Sequence, residues 1–195
     1  MNGDFTSKIA AISLFPHVYT SFRVSSQQEI MNMYNAAAVD DIPQIRKQAA
    51  IVLNEMIKLI PKVNEQELMA IFSKFYKDEQ DSVRMQGIDS CVCFANQLPP
   101  NKVQAYLLPY IKKFAEDKSW RIRYLVADRI MELAKGIGYE QAQEALLPYY
   151  TGFLKDTESE VRTAAVGRLS EFSKILDAQT IIQKVIPNLK HLVND

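Results

Sequence analysis

Apolar residues recur at helical spacing from Val24 onward, and one five-position stripe returns four times. With the residue before Arg46, Arg84, Arg123 and Arg162 counted as zero, offsets 0, +3, +4, +8 and +11 fall on one face of an α-helix. The third copy reads Ile122, Leu125, Val126, Ile130 and Leu133, and the fourth Val161, Ala164, Ala165, Leu169 and Phe172. The first gives Ile45, Gln48, Ala49, Leu53 and Met56, the second Val83, Gln86, Gly87, Cys91 and Phe94. Small residues cluster at +4, which suits close approach of two helices. An Asp stands six residues before each Arg, at Asp40, Asp78, Asp117 and Asp156. Each unit therefore predicts a first helix ending near its Asp, a short turn, and a second helix starting near its Arg. No strand alternation appears in the sequence.

The four arginines follow one another at intervals of 38, 39 and 39, and a fifth Asp, Asp195, stands 39 after Asp156. Two helices per unit at this period predict an all-α fold, an α-α superhelix of HEAT repeats, rather than the shorter tetratricopeptide or ankyrin units. The expected organisation is a single solenoid over 1–195. Its complete repeats are 24–62, 63–100, 101–139 and 140–179. Residues 1–23 supply the second helix of an incomplete repeat, and 180–195 the first helix of another. Pro109, Pro148 and Pro187 recur eight residues before the Asp of their units, where the second unit has Ala70 and the first Asn32. A proline at one fixed place is tolerated in a first turn or as a built-in kink. Pro16, after the apolar run from Ile9 to Phe15, predicts a break or kink in the opening helix. Leu98-Pro-Pro-Asn101 and Gly136-Ile-Gly138 end second helices. Neither end carries the polar face of a terminal repeat. The expectation is a piece of a longer array, or an array that self-associates end to end.

Composition narrows the function classes. Lys plus Arg and Asp plus Glu balance at 23 each in 195 residues, with 48% hydrophobic and 24% charged residues, values ordinary for a globular chain. Phosphate neutralisation needs a basic surplus, so the balance argues against nucleic acid as partner. No apolar run reaches the ~18 residues of a membrane span, and the start of the chain lacks a signal-peptide pattern. Cys91 and Cys93 on a helix lie about 200° apart around its axis, so they neither bridge nor chelate together. An intracellular, reducing compartment fits them, with cytoplasmic and also nuclear localisation as the expectation.

The chemistry-bearing patterns are absent. His17 and His191 are far apart and neither precedes a Glu. The sequence has no nucleophile elbow and no phosphate-binding glycine loop. Gly136-Ile-Gly138 follows a helix and reads as its terminator. Tyr149 and Tyr150 have the aromatic faces to stack bases, but the helical period makes one core and the other rim. The expectation is a chain that is not an enzyme and has no cofactor and no metal. The repeated Asp/Arg frame is either a charged binding ladder or a set of ties between turns along the stack. Four repetitions in one register favour ties, which makes Asp40, Arg46, Asp78, Arg84, Asp117, Arg123, Asp156 and Arg162 structural.

The run Glu116-Asp-Lys-Ser-Trp-Arg-Ile-Arg-Tyr-Leu-Val-Ala-Asp128 closely resembles one repeat of the scaffold (A) subunit family of protein phosphatase 2A. Arg23-Val-Ser-Ser26, Asp40-Asp-Ile-Pro-Gln-Ile-Arg-Lys47, Asp78-Glu-Gln-Asp-Ser-Val-Arg84 and Glu158-Ser-Glu-Val-Arg-Thr-Ala-Ala165 look like parts of the same family, in order. The resemblance covers only a middle stretch of that longer family. It implies a non-catalytic scaffold of a serine/threonine phosphatase complex, with regulatory (B-type) subunits docking along intra-repeat turns. It also implies little binding of the catalytic subunit, whose docking repeats are C-terminal to this stretch. Lys47 departs from the family's second arginine and is the poorer bidentate donor. The competing reading is a HEAT-repeat nuclear transport receptor or another adaptor; a transport receptor would show acidic inner-face runs, and a HEAT-fold enzyme on nucleic acid would show a basic groove.

Trp120 stands where the other units carry Pro43, Asp81 and Ser159, types that suit helix starts and solvent. It is either a partner anchor beside Arg121 or a staple onto its own helix start. Asp41, Pro43, Lys47, Glu79, Gln80 and Arg121 fall on the same turn ridge. Each alone is ordinary solvated surface; as a row they present a track to an extended partner.

Overall fold

The computed structural model describes residues 2–60 and 63–192; the side chains of 2–4, 190 and 191, and Asp195 with its place in the Asp series, lie outside the described residues. Every regular element among them is helical. The chain divides into two compact units, Met1–Cys93 and Phe94–Asp195.

In the first unit α1 (Asn2–Tyr19), α2 (Val24–Ala37), α3 (Pro43–Ile57) and α4 (Glu65–Tyr76) are followed by the start of α5 (Asp81–Gln97). Helix α3 packs on α1, α2 and α4. Its stripe explains why: Ile45, Ala49, Leu53 and Met56 are all buried, while Gln48 at offset +3 is half-exposed. Gln48 is polar for a reason, because its amide donates to the Ser13 hydroxyl of α1 at 2.9 Å. Around α3 stand Met31 and Tyr34 from α2 and Phe72 and Phe75 from α4, all fully buried.

Of the break or kink expected at Pro16, the break is not there. Helix α1 runs on through Pro16 to Tyr19, with Phe15, Pro16 and Tyr19 buried. One proline removes a single N–H and presses on one preceding turn. Burying three apolar side chains at roughly 1.5–3 kcal/mol each offsets that cost.

The second unit contains α6 (Pro100–Lys102), a π-helical turn (Val103–Leu107), α7 (Leu108–Ala115), α8 (Trp120–Asp128), α9 (Ile130–Ile137) and α10 (Tyr139–Phe153). It continues through α11 (Ser159–Gly167), α12 (Leu169–Ser173), α13 (Ala178–Thr180), a second π-helical turn (Ile181–Val185) and α14 (Ile186–Leu192). Helix α8 packs on α7, α10 and α11, and α10 packs on α9 and α11. Ile122, Val126, Ile130 and Leu133 are buried from one stripe, and Val161, Ala165 and Phe172 from the next. Leu125 and Ala164, both at +3, are half-buried, as is Leu169 at +8.

The recurring prolines are exposed and handled in two ways. Pro109 and Pro187 each follow a π-helical turn, in which the Leu108 and Ile186 amides reach back to Val103 and Ile181. The wider turn relieves the clash between a proline ring and the carbonyl four residues earlier. Pro148 is carried inside α10 without such a turn. Gly138, at φ +95°, links α9 to α10 and is a conformation glycine adopts without strain. Gly136 lies two residues earlier, within α9, and faces Ala95 across the packing, so closely that an added Cβ would stand 2.3 Å from the Ala95 Cβ.

Candidate functional site

The turns between first and second helices share one construction. Each framing Asp accepts, through Oδ1, the backbone N–H two residues on: Ile42 at 2.9 Å, Gln80 at 3.0 Å, Ser119 at 2.8 Å and Glu158 at 3.0 Å. This Asx turn directs the chain into the next helix. From the second helix, Nη1 of the framing Arg returns to the carbonyl of its own Asp. The distances are 2.8 Å for Arg46, 2.8 Å for Arg84, 2.9 Å for Arg123 and 2.8 Å for Arg162. Weaker bonds reach the carbonyls of Asp41, Glu79, Lys118 and Thr157.

The other edge of the guanidinium crosses to the next repeat. In the first unit Arg46 forks onto Asp78, with Nε at 2.6 Å and Nη2 at 3.0 Å. In the second, Arg123 forks onto Asp156 at 2.6 and 2.8 Å. A planar fork matched to a carboxylate gives the shortest and strongest of such bonds. The Asp78 and Asp156 side chains are only 6% and 8% exposed. Burial by itself would raise these carboxyls. The arginine forks and the backbone amides of Gln80 and Glu158 outweigh it, and both carboxyls are held below the ordinary value. Arg46 and Arg123 are raised in turn, chiefly by the bonds to those carboxylates. These side chains are thus committed within the protein.

The residues proposed to meet a partner sit on the same turns. Asp41, Lys47, Glu79 and Gln80 are exposed and Pro43 is half-buried in the first unit. Pro43 opens α3 at a position where its missing N–H costs nothing. In the second unit Trp120 opens α8 and is half-buried, and the Arg121 guanidinium lies over its ring at 5.0 Å. A cation placed there is held by the ring's negative face, which presents indole and guanidinium together at the helix start. Pro43 and Asp81, at the matching position of their units, are also half-buried, and Ser159 is exposed.

Two connections were missed in the sequence. Lys8 stands 38 residues before Arg46, in the register of the frame, and donates to Asp40 at 3.4 Å. Extending the period one step toward the N-terminus finds it. The other is a network on the second helices of the second unit, where Arg168 donates to Asp128 at 2.9 Å and Arg129 lies 3.2 Å from the same carboxylate. Arg129 and Arg168 also interrupt their helices, at φ/ψ of −95/9° and −98/0°. Nothing in their sequence neighbourhood signals the interruption.

Among the described residues no group of three or more His, Cys, Asp and Glu is placed to hold a metal ion, and no helix is long and apolar enough to cross a membrane. His17 is exposed, and the His191 side chain lies outside the described residues. Cys91 is buried and Cys93 half-buried; both are free, and burial raises both thiols above the ordinary value. Tyr150 is core and Tyr149 half-buried.

Helix pairs repeating every 38 or 39 residues, with turns tied in this way, define a HEAT-repeat protein. Comparison with known proteins narrows this further. Residues 140–195 match the family described as PPP2R1A-like HEAT repeat. The chain is 35% identical over 98 residues to a probable serine/threonine-protein phosphatase PP2A regulatory subunit of Caenorhabditis elegans. That alignment takes in 49% of this chain and 17% of the worm protein, so the chain spans a small part of its relative's length. The solved structure of Cex1p superposes with a TM-score of 0.70 over 92% of this chain and 34% of its own, at 19% identity. The karyopherin Kap121p, bound to the SUMO protease Ulp1p, gives 0.57 over 75% of this chain and 15% of its own, at 20% identity. The two structures share the fold. The family match and the worm relative support a HEAT-repeat chain similar to the phosphatase 2A scaffold, with its repeats only partly represented.

Proposed function

We propose that the chain is a non-catalytic scaffold of a serine/threonine phosphatase 2A complex, cytoplasmic and also nuclear, holding regulatory (B-type) subunits at its intra-repeat turns. The observation that carries this is the division of labour within each turn. The Asp and Arg side chains are spent on the fold, whereas the neighbouring residues Asp41, Lys47, Glu79, Gln80 and Arg121 face solvent. A scaffold of this kind raises the effective concentration of its partners by fixing their geometry. Trp120 with Arg121 has the composition of a binding anchor, a large rigid side chain beside a planar cation. The similarity to the worm phosphatase subunit supports the partner class. The likeness to Kap121p is one of fold at 20% identity and adds nothing in favour of nuclear transport.

The test is capture from cell lysate followed by mass spectrometry, comparing the chain with Trp120→Ala. Regulatory subunits should be recovered by the first and lost by roughly tenfold with the second, as for a residue worth about 1.4 kcal/mol of binding. The thermal melt should move little. Transport cargoes or nucleic acid in place of phosphatase subunits would overturn the reading. A lowered melt with unchanged capture would make Trp120 a staple instead.

A further inference from the structure

The second helices differ at one offset of the repeat. Seven residues after offset zero stand Val52, Ser90, Arg129 and Arg168. Val52 and Ser90 are buried, at 4% and 0% exposure, inside the unbroken helices α3 and α5. Arg129 and Arg168 are half-buried, and each ends one helix and opens the next. A guanidinium held where Val52 lies would lose its water without gaining a partner, which costs more than one distorted residue. Interrupting the helix lets the stem stay packed while the head reaches solvent and a carboxylate. Both arginines use the same one. Arg168 Nη2 donates to Asp128 Oδ1 at 2.9 Å, and Arg129 Nη1 lies 3.2 Å from Asp128 Oδ2. The first of these bonds joins consecutive repeats, where α8 packs on α11 and α9 on α12. Each arginine also faces a second carboxylate one turn further on, Glu132 at 3.9 Å and Glu171 at 3.8 Å. Those distances are too long for hydrogen bonds. Glu132 Oε2 is buried and has no hydrogen-bond partner among the described residues, an arrangement that costs free energy while it persists. Glu132 and Glu171 line a groove of ≈ 690 Å³ between α9 and α12, so the halves beyond the interruptions have room to shift.

We propose that Arg129 and Arg168 are the hinges of a two-position switch in these second helices. In the position seen here both arginines are latched on Asp128. In the other, α9 and α12 turn about the junctions and the arginines pass to Glu132 and Glu171. That exchange brings Glu132 Oε2 the donor it lacks, and Asp128, 26% exposed, returns to water. Each arginine is paired in both positions, so the two lie close in free energy, as a bistable element requires. The latch crosses from one repeat to the next, and the switch therefore sets how these two repeats are held together. It lies away from the turn ridge, and the inference stands whether or not the turns hold regulatory subunits.

Amide hydrogen exchange reads the second position. Turning at the junctions opens the bonds that the Leu133 and Phe172 amides donate to the Arg129 and Arg168 carbonyls, at 3.1 and 2.9 Å. Asp128→Asn removes the latch and should quicken exchange over 129–133 and 168–172 by about fivefold, with α7 and α10 unchanged. Asp128→Glu keeps the charge and should return the rate toward that of the parent. Glu132→Gln weakens the acceptor of the second position and should slow exchange over 129–133 by about the same factor. Carboxylates that served only as ties would quicken exchange when either was lost. A Glu132→Gln chain that exchanges as fast as the parent, or faster, therefore overturns the proposal. An unchanged rate in Asp128→Asn overturns it too, as does a rise spread equally over α7 and α10, which would report a loss of stability in the whole unit.

Discussion

Asp78 shows how much one side chain of the frame carries. It accepts the Gln80 amide within its own turn and the Nε and Nη2 of Arg46 from the repeat before, while its side chain is 6% exposed. Replacing it by Asn keeps the shape, removes the charge and leaves the guanidinium partly buried without its carboxylate. The expected loss is about 2 kcal/mol, between the values for exposed and for buried pairs, measurable by urea unfolding at pH 7. The pH dependence has a definite sign. The fold lowers the Asp78 carboxyl, so the native state releases its proton at lower pH than the unfolded chain. The stabilisation is complete above the unfolded value of about 4 and is lost as pH falls through the lower folded value. The gap between the parent and Asp78→Asn should therefore close as pH falls below about 4. A gap that persisted there would mean that packing, not charge, sets the cost. Tyr34 is a quieter case: its buried hydroxyl donates to the Ala49 carbonyl at 2.7 Å, and Tyr34→Phe should cost about 1 kcal/mol in the same assay.

At the scale of elements, the small residues at offset +4 have a cause that helix proximity alone does not give. Ala49 and Ala165 leave space for Tyr34 and Tyr150, whose hydroxyls reach the carbonyls of those alanines, at 2.7 and 2.9 Å. Phe72 and Ile111 occupy the corresponding places before Gly87 and Val126, and both are buried. Tyr150 in turn stacks on Phe172 with centroids 4.1 Å apart, which ties α10 to α12. Gly136 is the other element-scale constraint. Helix propensity alone favours alanine there by about 1 kcal/mol, but the new methyl would meet the Ala95 Cβ at 2.3 Å and its Cα at 3.1 Å. Those atoms sit at a helix backbone and cannot rotate away. Overpacking of about 1–3 kcal/mol wins. Gly136→Ala should lower the melting temperature by several degrees, and a rise would show that the two helices separate easily.

At the scale of the molecule, stability in a repeat protein is close to a sum of repeats and neighbour interfaces, so the frame and the turn surface separate cleanly. Asp78→Asn should cost stability while leaving regulatory subunits captured at temperatures where the chain is folded. Trp120→Ala should do the reverse. A side-by-side melt and lysate capture of the two variants reads both outcomes. The equal balance of 23 basic and 23 acidic residues fits a surface of local patches, of which the turns and the network around Asp128 are two.

The sequence by itself determined the helical class, the period and which face of each second helix is buried. Helical phase and a fixed repeat length are one-dimensional properties, so Ile45, Val83, Ile122 and Val161 at offset zero could be picked out as core before any coordinates. It also located the turns and the Asp and Arg of each. Only the tertiary structure decided what those residues join. Each Arg turns one edge to its own turn's carbonyls, and Arg46 and Arg123 give the other to an Asp 32 or 33 residues on. The pairing of Arg168 with Asp128, the contact of Gly136 with Ala95 and the groove between α9 and α12 likewise join residues from different repeats. Such contacts depend on how repeats stack. The pattern within a repeat fixes which side faces inward, whereas the partner met there is set by packing across the chain. Pro16 marks the same boundary: local chemistry predicted a break or kink, and burial of the residues around it kept the helix unbroken.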